Sequence, residues 1–385
     1  MSLLGLTNKF NFFKNKEMNY IYIAIFIISF GESLISVFIP IYFMQIGLQI
    51  YEVFLYYFLV SLYFVIFAYF GAKLTSKIGD KHSIIISTVC LLFYNLGLIF
   101  VEKYMFLILL LPILLAFKMM LFNYGYHLNF LNHSDKKHVG KELAFIGVIV
   151  LIAVTFAPYI GSILADFNFI LLFSVSSIFI FIGIIPLFLS KDKFEDLTFS
   201  FHSLFSNITS KKNIKNLISF SGYAIDSTIG SVVWPIFIIM IIGTIKKTGL
   251  LITVSMLISL FVFAILGKLI DNTSKIKILK LGTFLYFFAW IARIFANSAS
   301  KILFVDSYKN VSEKILHLSW GAHSYDLAQR TKYFEFIVGR EIAFNIARVI
   351  IYPILMLIFW VNFHPFTLTF ILASIASIGY AFIEK

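Results

Sequence analysis

The chain has 385 residues, of which 60% are hydrophobic and only 13% are charged, and its mean hydropathy is +0.94. A soluble domain does not need so large an apolar fraction, so the composition excludes an ordinary soluble protein. The net charge of +12 would suggest nucleic-acid binding in a soluble protein. Here the basic residues occupy loops that alternate along an apolar chain, which is typical of a membrane protein.

Apolar runs of about 20 residues, the length at which a helix crosses a bilayer, recur twelve times along the chain. The first six predicted spans cover residues 20–47, 51–74, 83–100, 104–131, 143–165 and 169–189. The next six cover residues 217–243, 249–270, 278–295, 302–328, 342–360 and 365–383. These runs are apolar on all sides, whereas strands of a membrane barrel alternate. The sequence therefore predicts an all-α integral membrane protein with twelve transmembrane helices.

Lysine and arginine are distributed unevenly between the two sets of loops that connect these spans. One set, together with both termini, holds 22 of them, and the other set holds only Lys103, Lys246, Lys247 and Lys301. Basic loops remain on the cytoplasmic side of a membrane, so both termini are predicted to be cytoplasmic. An even number of spans requires the same, and the expected location is the cell membrane.

The two halves of the chain repeat each other. Pro40 and Pro235 are 195 positions apart, and Pro158 and Pro353 have the same separation. Tyr126-His127-Leu128 precedes Gly140-Lys141-Glu142 by the same distance as Tyr325-Asp326-Leu327 precedes Gly339-Arg340-Glu341. Repeated halves are typical of secondary transporters. We predict a segment 1–19, two six-helix halves at 20–189 and 217–385, and a cytoplasmic central loop at 190–216.

The loops after spans two and eight carry the most specific motif. Its second copy contains Gly267, Asp271, Lys275 and Lys277, and its first copy contains Lys77, Gly79 and Lys81, with Ala72 and Ser76 at the Gly and Asp positions. With twelve spans in two halves, these residues resemble the major facilitator superfamily of secondary transporters. Span five also contains Ala157-Pro158-Tyr159-Ile160-Gly161-Ser162, which is similar to a degenerate motif of the family's antiporters and favours export.

The resemblance implies a cytoplasmic gate at these loops. Its predicted members are Lys77, Gly79, Lys81, Glu142, Gly267, Asp271, Lys275 and Glu341. Glu142 and Glu341 begin spans five and eleven, where a carboxylate meets the positive end of the helix dipole. These carboxylates are candidate partners for Lys77 or Lys81 in the first half and for Lys275 or Lys277 in the second. Such pairs would bridge the halves when the cytoplasmic side is closed. The alternative is a helix-start carboxylate with no switching role.

Ionisable residues inside the spans are costly, so they indicate a cavity or a partner. The candidate substrate or proton residues are Glu32, Lys118, Asp226, Asp306, Asn310, Glu313 and Arg348. The resemblance places spans one, four, seven and ten along the central path, and all of these residues except Arg348 lie there. Glu32 and Asp226 are expected to carry protons or to bind a substrate ammonium group, because burial brings carboxylate protonation towards physiological pH. The alternative for each is a structural ion pair.

Ion-pair partners are expected for several of these charged residues. Lys118 is a candidate anion contact or the counter-ion of Glu32. Glu313 follows Lys309 by four residues, so the two side chains can satisfy each other on one helix. Arg348 is expected to pair with Glu341 or with a substrate, and Arg293, near the outer end of span nine, is expected to snorkel to the interface.

The sequence contains no nucleotide-binding loop, metal-ligand cluster or nucleophile constellation, so an enzyme and a bound cofactor are not expected. The predicted function is a proton-coupled secondary transporter of small organic molecules that works by alternating access, with export favoured. Its expected partners are the substrate, protons and the bilayer, without nucleic acid, and a monomer is expected. The alternative is a protein of the same fold that does not pump, such as a lipid carrier or a membrane sensor.

Overall fold

The computed structural model describes residues 16–133, 139–190, 199, 213–271 and 274–383. For residues 16–18, 130–133, 139–146, 264 and 266–271 it describes the backbone alone. Most of the predicted N-terminal segment and central loop lies outside these ranges, so the domain boundaries stay predictions. The described residues form helices and no strand.

Helices correspond to all six predicted spans of the first half. Span one consists of Lys16–Ser36 and Ile39–Gln45, spans two and three form Ile50–Phe100, and spans four, five and six are Leu107–His133, Val139–Phe167 and Phe169–Leu189. In the second half, span seven consists of Ile214–Thr228, the π-helix Ile229–Val233 and Trp234–Ile242. Spans eight, nine, ten and eleven are Ile245–Asp271, Lys275–Arg293, Ala299–Gln329 and Tyr333–Val361, and span twelve is Pro365–Ser377 followed by a 3₁₀-helix, Ile378–Phe382.

Among the described residues, nine helices are long and apolar enough to cross a membrane. Ile50–Phe100 counts once among them although it holds two predicted spans. Spans nine and ten carry more charged residues and fall outside the group. The predicted all-α membrane fold is therefore confirmed, and the described helices are consistent with twelve spans.

Glycine 79 separates spans two and three. The 51-residue helix Ile50–Phe100 would be about 77 Å long if straight, far longer than a bilayer of about 30 Å. Gly79 interrupts it with φ 83° and ψ 173°, a left-handed conformation that side chains with a Cβ rarely adopt. The chain thus turns at the predicted loop without leaving helical structure on either side.

The repeated prolines Pro40 and Pro235 coincide with breaks in spans one and seven. Each lies in the first turn of the helix that forms the second part of its span. A proline has no N–H to donate and disfavours the helical conformation before it, so a helix tends to restart there. In span seven the five-residue π-helix immediately precedes this restart.

The two halves meet mainly through two pairs of spans. Span eleven packs against the helix of spans two and three, and span five packs against span eight. At Gly249 of span eight, a Cβ would come within 2.3 Å of the Ser162 Cβ and 2.6 Å of the Pro158 carbonyl oxygen. Only glycine permits this approach, and small residues serve such contacts between membrane helices.

Candidate functional site

Lys118 of span four and Glu32 of span one form an ion pair inside the first half. The Lys118 ammonium donates to Glu32 Oε1 and lies 5.2 Å from the centre of the Phe122 ring. The Lys118 side chain is only 7% exposed, whereas that of Glu32 is 36% exposed. The structure therefore gives Lys118 the predicted counter-ion, and it leaves the carboxylate partly open.

Asp226 of span seven is fully buried and is bound by a tyrosine. The Tyr380 hydroxyl lies 3.2 and 3.0 Å from its two carboxylate oxygens, and it also lies 3.0 Å from Nε2 of His317. A hydroxyl has one proton, so a Tyr380 that donates to Asp226 must accept from a His317 protonated at Nε2. Asp226 of span seven is thus linked through Tyr380 of span twelve to His317 of span ten.

Asp306 of span ten lies at the centre of a closed polar cluster. Its Oδ1 accepts hydrogen bonds from Trp234 Nε1 at 2.8 Å and Arg293 Nη2 at 2.9 Å, and its Oδ2 accepts from Ser255 Oγ at 2.5 Å and Asn310 Nδ2 at 3.3 Å. The residues come from spans seven, eight, nine and ten. Every hydrogen-bonding position of the carboxylate is used, so this arrangement suits a structural tie between four helices.

The expectation that Arg293 snorkels to the interface is wrong. Its side chain is 1% exposed, and its Cζ lies 3.8 Å from the ring centre of Trp234 and 4.3 Å from that of Trp290. The carboxylate of Asp306 and the faces of two indoles replace water around the guanidinium. Arg293 Nε and Nη1 have no hydrogen-bond partner among the residues that the structure describes.

The charged residues further along span ten, from Lys309 to Lys314, are more exposed than Asp306. Lys309 and Glu313 form the expected pair within one helix at 2.8 Å, with 11% and 30% of their side chains exposed. Lys314 instead donates to Ser259 Oγ at 2.8 Å. The candidate residues of span ten thus divide into a closed group, Asp306 and Asn310, and the more exposed Glu313.

Glu341 bridges the two halves, but with partners that differ from those predicted. Its Oε2 accepts from Asn123 of span four at 2.9 Å and its Oε1 accepts from Arg340 at 2.9 Å. Lys275, one of its predicted partners, lies 3.3 Å from the exposed carboxylate of Asp326 instead. Arg340 is adjacent to Glu341 in sequence, and Asn123 lies opposite it where spans four and eleven meet.

His127 of span four completes this contact between the halves. Its Nε2 lies 3.0 Å from Arg340 Nη2, and its Nδ1 lies 3.3 Å from the Tyr325 hydroxyl. An arginine only donates, so Nε2 must be an unprotonated acceptor. We call Asn123, His127, Tyr325, Arg340 and Glu341 the basic-end contact, because they lie towards the lysine-rich ends of their spans.

The first copy of the predicted loop motif makes contacts within its own half. Lys81 Nζ lies 2.5 Å from the Ser190 carbonyl oxygen, and Lys77 is exposed. The buried Asp80 accepts from Asn129 of span four at 2.9 Å, which ties spans three and four together. For three other predicted gate residues, Glu142, Gly267 and Asp271, the structure describes the backbone alone.

Arg348 lies beside a stacked pair of tyrosines. Its Nη1 is 3.4 Å from Asn345 Oδ1, and it forms no ion pair with any described residue. Tyr352, one turn further along span eleven, stacks on Tyr57 of span two with ring centres 6.2 Å apart. The predicted pairing of Arg348 with Glu341 is therefore absent from the described residues, where Asn123 and Arg340 are the partners of Glu341.

A family model described as Major Facilitator Superfamily matches residues 21–308, about three-quarters of the chain. The chain belongs to the major facilitator superfamily. It is therefore a multi-pass membrane protein of a transporter family, as its motifs predicted. A search of curated proteins finds no match to the sequence.

Solved structures of superfamily transporters share this fold. A POT family transporter in complex with thioalcohol conjugated peptide has a TM-score of 0.73 at 12% identity, over 94% of both chains. A bacterial homologue of the human drug peptide transporters PepT1 and PepT2 has a TM-score of 0.71 at 10% identity, over 96% of both chains. A D-xylose-proton symporter has a TM-score of 0.70 at 10% identity, over 93% of this chain and 96% of its own. At these identities the likeness concerns the fold alone.

The basic-end contact was not predicted from the sequence, although its residues belong to motifs that the two halves repeat. His127 and Tyr325 belong to the two copies of one repeated motif, and Arg340 and Glu341 to the second copy of another. Residues repeated in two halves related by an approximate two-fold axis are candidates to meet near that axis. Within the described residues there is no group of three or more side chains suited to hold a metal ion.

Proposed function

We propose that this chain is a proton-coupled secondary transporter of small organic molecules that works by alternating access. The observation that carries the proposal is the ion pair between Glu32 and Lys118. A charged pair inside the membrane is costly, and this one leaves its carboxylate about one-third exposed. A structural pair would be expected to be closed, whereas a proton carrier must exchange protons with water.

The proposed cycle uses competition for Lys118. When Glu32 is ionised, it holds the Lys118 ammonium group. When Glu32 takes up a proton, the ion pair loses most of its attraction, and Lys118 becomes available to another acceptor. Asp226, 194 positions later in the equivalent span of the second half, is the second proposed proton site, with Tyr380 and His317 as its connection to span ten.

Alternating access requires contacts between the halves that form in one state and break in another. The basic-end contact is suited to this role because Asn123 and His127 belong to span four, whereas Arg340 and Glu341 belong to span eleven. The distribution of lysine and arginine supports a cytoplasmic location of this end and of both termini, in the cell membrane.

The direction of transport has two opposing indications. The motif at residues 157–162 favours export in exchange for protons. The D-xylose-proton symporter of similar fold favours movement of substrate and protons together. An assay must therefore measure both directions.

The test begins with a thermal-shift screen of the purified protein against a metabolite and drug library at two pH values. Stabilising compounds are then followed in proteoliposomes with an imposed pH gradient, for uptake and for release. We expect gradient-driven movement that Glu32→Gln or Asp226→Asn removes, with the exposed Glu102→Gln as the matched control. Unchanged transport in both variants would reject proton coupling and favour the second candidate, a carrier or sensor that does not pump.

A further inference from the structure

Eleven Asp, Glu, Lys and Arg side chains lie well inside the described spans, and most are paired. They are Glu32, Lys118, Asp226, Arg293, Asp306, Lys309, Glu313, Lys314, Arg340, Glu341 and Arg348. Four ion pairs account for eight of them. The remaining three are one carboxylate, Asp226, and two cations, Lys314 and Arg348. The interior thus has a surplus of positive charge whether Asp226 is ionised or protonated.

Two of the three unpaired groups have neutral partners. Asp226 is held by the Tyr380 hydroxyl at 3.0 Å, and Lys314 donates to Ser259 at 2.8 Å. Arg348 differs, because its guanidinium has five N–H donors and its one described hydrogen bond, to Asn345, is 3.4 Å long. Arg348 is also only partly buried, so the surrounding protein does not fully enclose its side chain.

Arg348 stands in the middle of the 29-residue helix Tyr333–Val361, on a face directed towards the other half. Tyr352 follows it by one turn and stacks on Tyr57 of span two, so both halves contribute to the surroundings of the guanidinium. Tyr223 of span seven packs on Phe344, one turn before Arg348, with ring centres 4.7 Å apart. A planar or apolar group fits beside these rings, and an anion fits on the guanidinium.

We propose that Arg348 binds the carboxylate of the transported molecule, so that the substrates are small organic anions with an apolar or aromatic part. A guanidinium matches a carboxylate with two parallel hydrogen bonds, and the bound anion neutralises the surplus cation inside the membrane. This inference rests on the proposed transport function and gives it a substrate class.

The probes are pairs of a carboxylate and its uncharged primary amide: benzoate with benzamide, phenylacetate with phenylacetamide, and 3-phenylpropanoate with 3-phenylpropanamide. Thermal stabilisation of the purified wild-type protein is measured at millimolar concentrations. We expect the carboxylates to stabilise the protein and the amides to have a smaller effect or none. Equal stabilisation by both members of each pair, or no stabilisation by any carboxylate, overturns the inference without any variant.

A variant then assigns the effect to the residue. Arg348→Gln should weaken carboxylate binding about tenfold or more, since a hydrogen bond between charged groups is lost. The exposed Arg330→Gln is the matched control and should bind as the wild type does. Unchanged carboxylate affinity in Arg348→Gln overturns the inference. If instead a neutral compound is transported under a pH gradient and Glu32→Gln stops it, the transport function stands and the anion proposal fails.

Discussion

The ion pair Glu32–Lys118 in the first half and the ion pair Arg293–Asp306 in the second differ in how far their side chains are exposed. The side chains of Arg293 and Asp306 are 1% and 5% exposed, and two indoles, a serine and an asparagine surround them. Those of Lys118 and Glu32 are 7% and 36% exposed. The same chemistry thus suits two purposes: a closed pair is suited to fix helices, and a partly exposed pair is suited to the proton exchange proposed above.

The largest expected effect comes from breaking the closed pair. Asp306→Asn leaves the Arg293 guanidinium buried without a counter-charge, which should cost about 3–5 kcal/mol of stability. The measurement is thermal or chemical unfolding in detergent, with the exposed Glu102→Gln as the control. A double variant, Arg293→Met with Asp306→Leu, should recover most of the loss because it leaves no buried charge. A stable Asp306→Asn protein without transport activity would instead make Asp306 a functional residue.

Opening the other pair should affect transport more than stability. Glu32→Gln keeps the size of the side chain and removes its charge, at a position that is 36% exposed. We expect loss of proton-driven transport with a smaller loss of unfolding free energy than in Asp306→Asn, because Glu32 accepts one described hydrogen bond and Asp306 accepts four. Exchange of labelled for unlabelled substrate across the membrane, which needs no net proton movement, should continue. Loss of stability comparable with that of Asp306→Asn would remove the distinction between the two pairs.

A smaller effect is expected at the basic-end contact. Glu341→Gln or Asn123→Ala weakens a hydrogen bond to a charged group, worth about 1.5–3 kcal/mol. Opening of this end should therefore become more frequent. Distances between spectroscopic labels at the exposed positions Lys77 and Arg330 would report it. If Glu341→Gln leaves both the distances and the transport rate unchanged, Glu341 is a helix-start carboxylate without a gating role.

The smallest expected effect is a dependence of the same contact on pH. Neutral His127 accepts from Arg340 at Nε2, and a protonated His127 would both lose that acceptor and repel the guanidinium. The other groups that face this ring are Tyr325 and Tyr126, and Glu341 lies beyond Arg340. Acidification should therefore increase the distance between the two labels, and His127→Gln should make that distance independent of pH. A pH response that persists in His127→Gln would assign it to another group.

Much of the fold could be predicted from the sequence because its signals are local or periodic. Hydropathy gives nine of the described helices directly, and the repeat identifies span ten despite its charges. The prolines Pro40 and Pro235 mark the breaks in spans one and seven, and Gly79 lies at the turn that its motif predicts.

The partners of the charged residues were harder to predict because they depend on which helix faces meet. Lys118 and Glu32 are 86 positions apart, and only the expected neighbourhood of spans one and four suggested their pairing. The position of Arg293 along its helix suggested snorkelling, but the direction of its side chain, towards Asp306, decides its burial. Glu341 was predicted to form ion pairs with lysines of the loop motif, whereas its described partners are Asn123 and the adjacent Arg340.

The repeated motif at the basic-end contact has a consequence for assembly. The first copy supplies His127, and the second copy supplies Tyr325 and Arg340, so two versions of one patch touch each other. Symmetric dimers form in this way, with the same surface on both subunits. The chain can be divided within the central loop into two half-length polypeptides. When synthesised together, they should therefore associate through the contact of His127 with Tyr325 and Arg340.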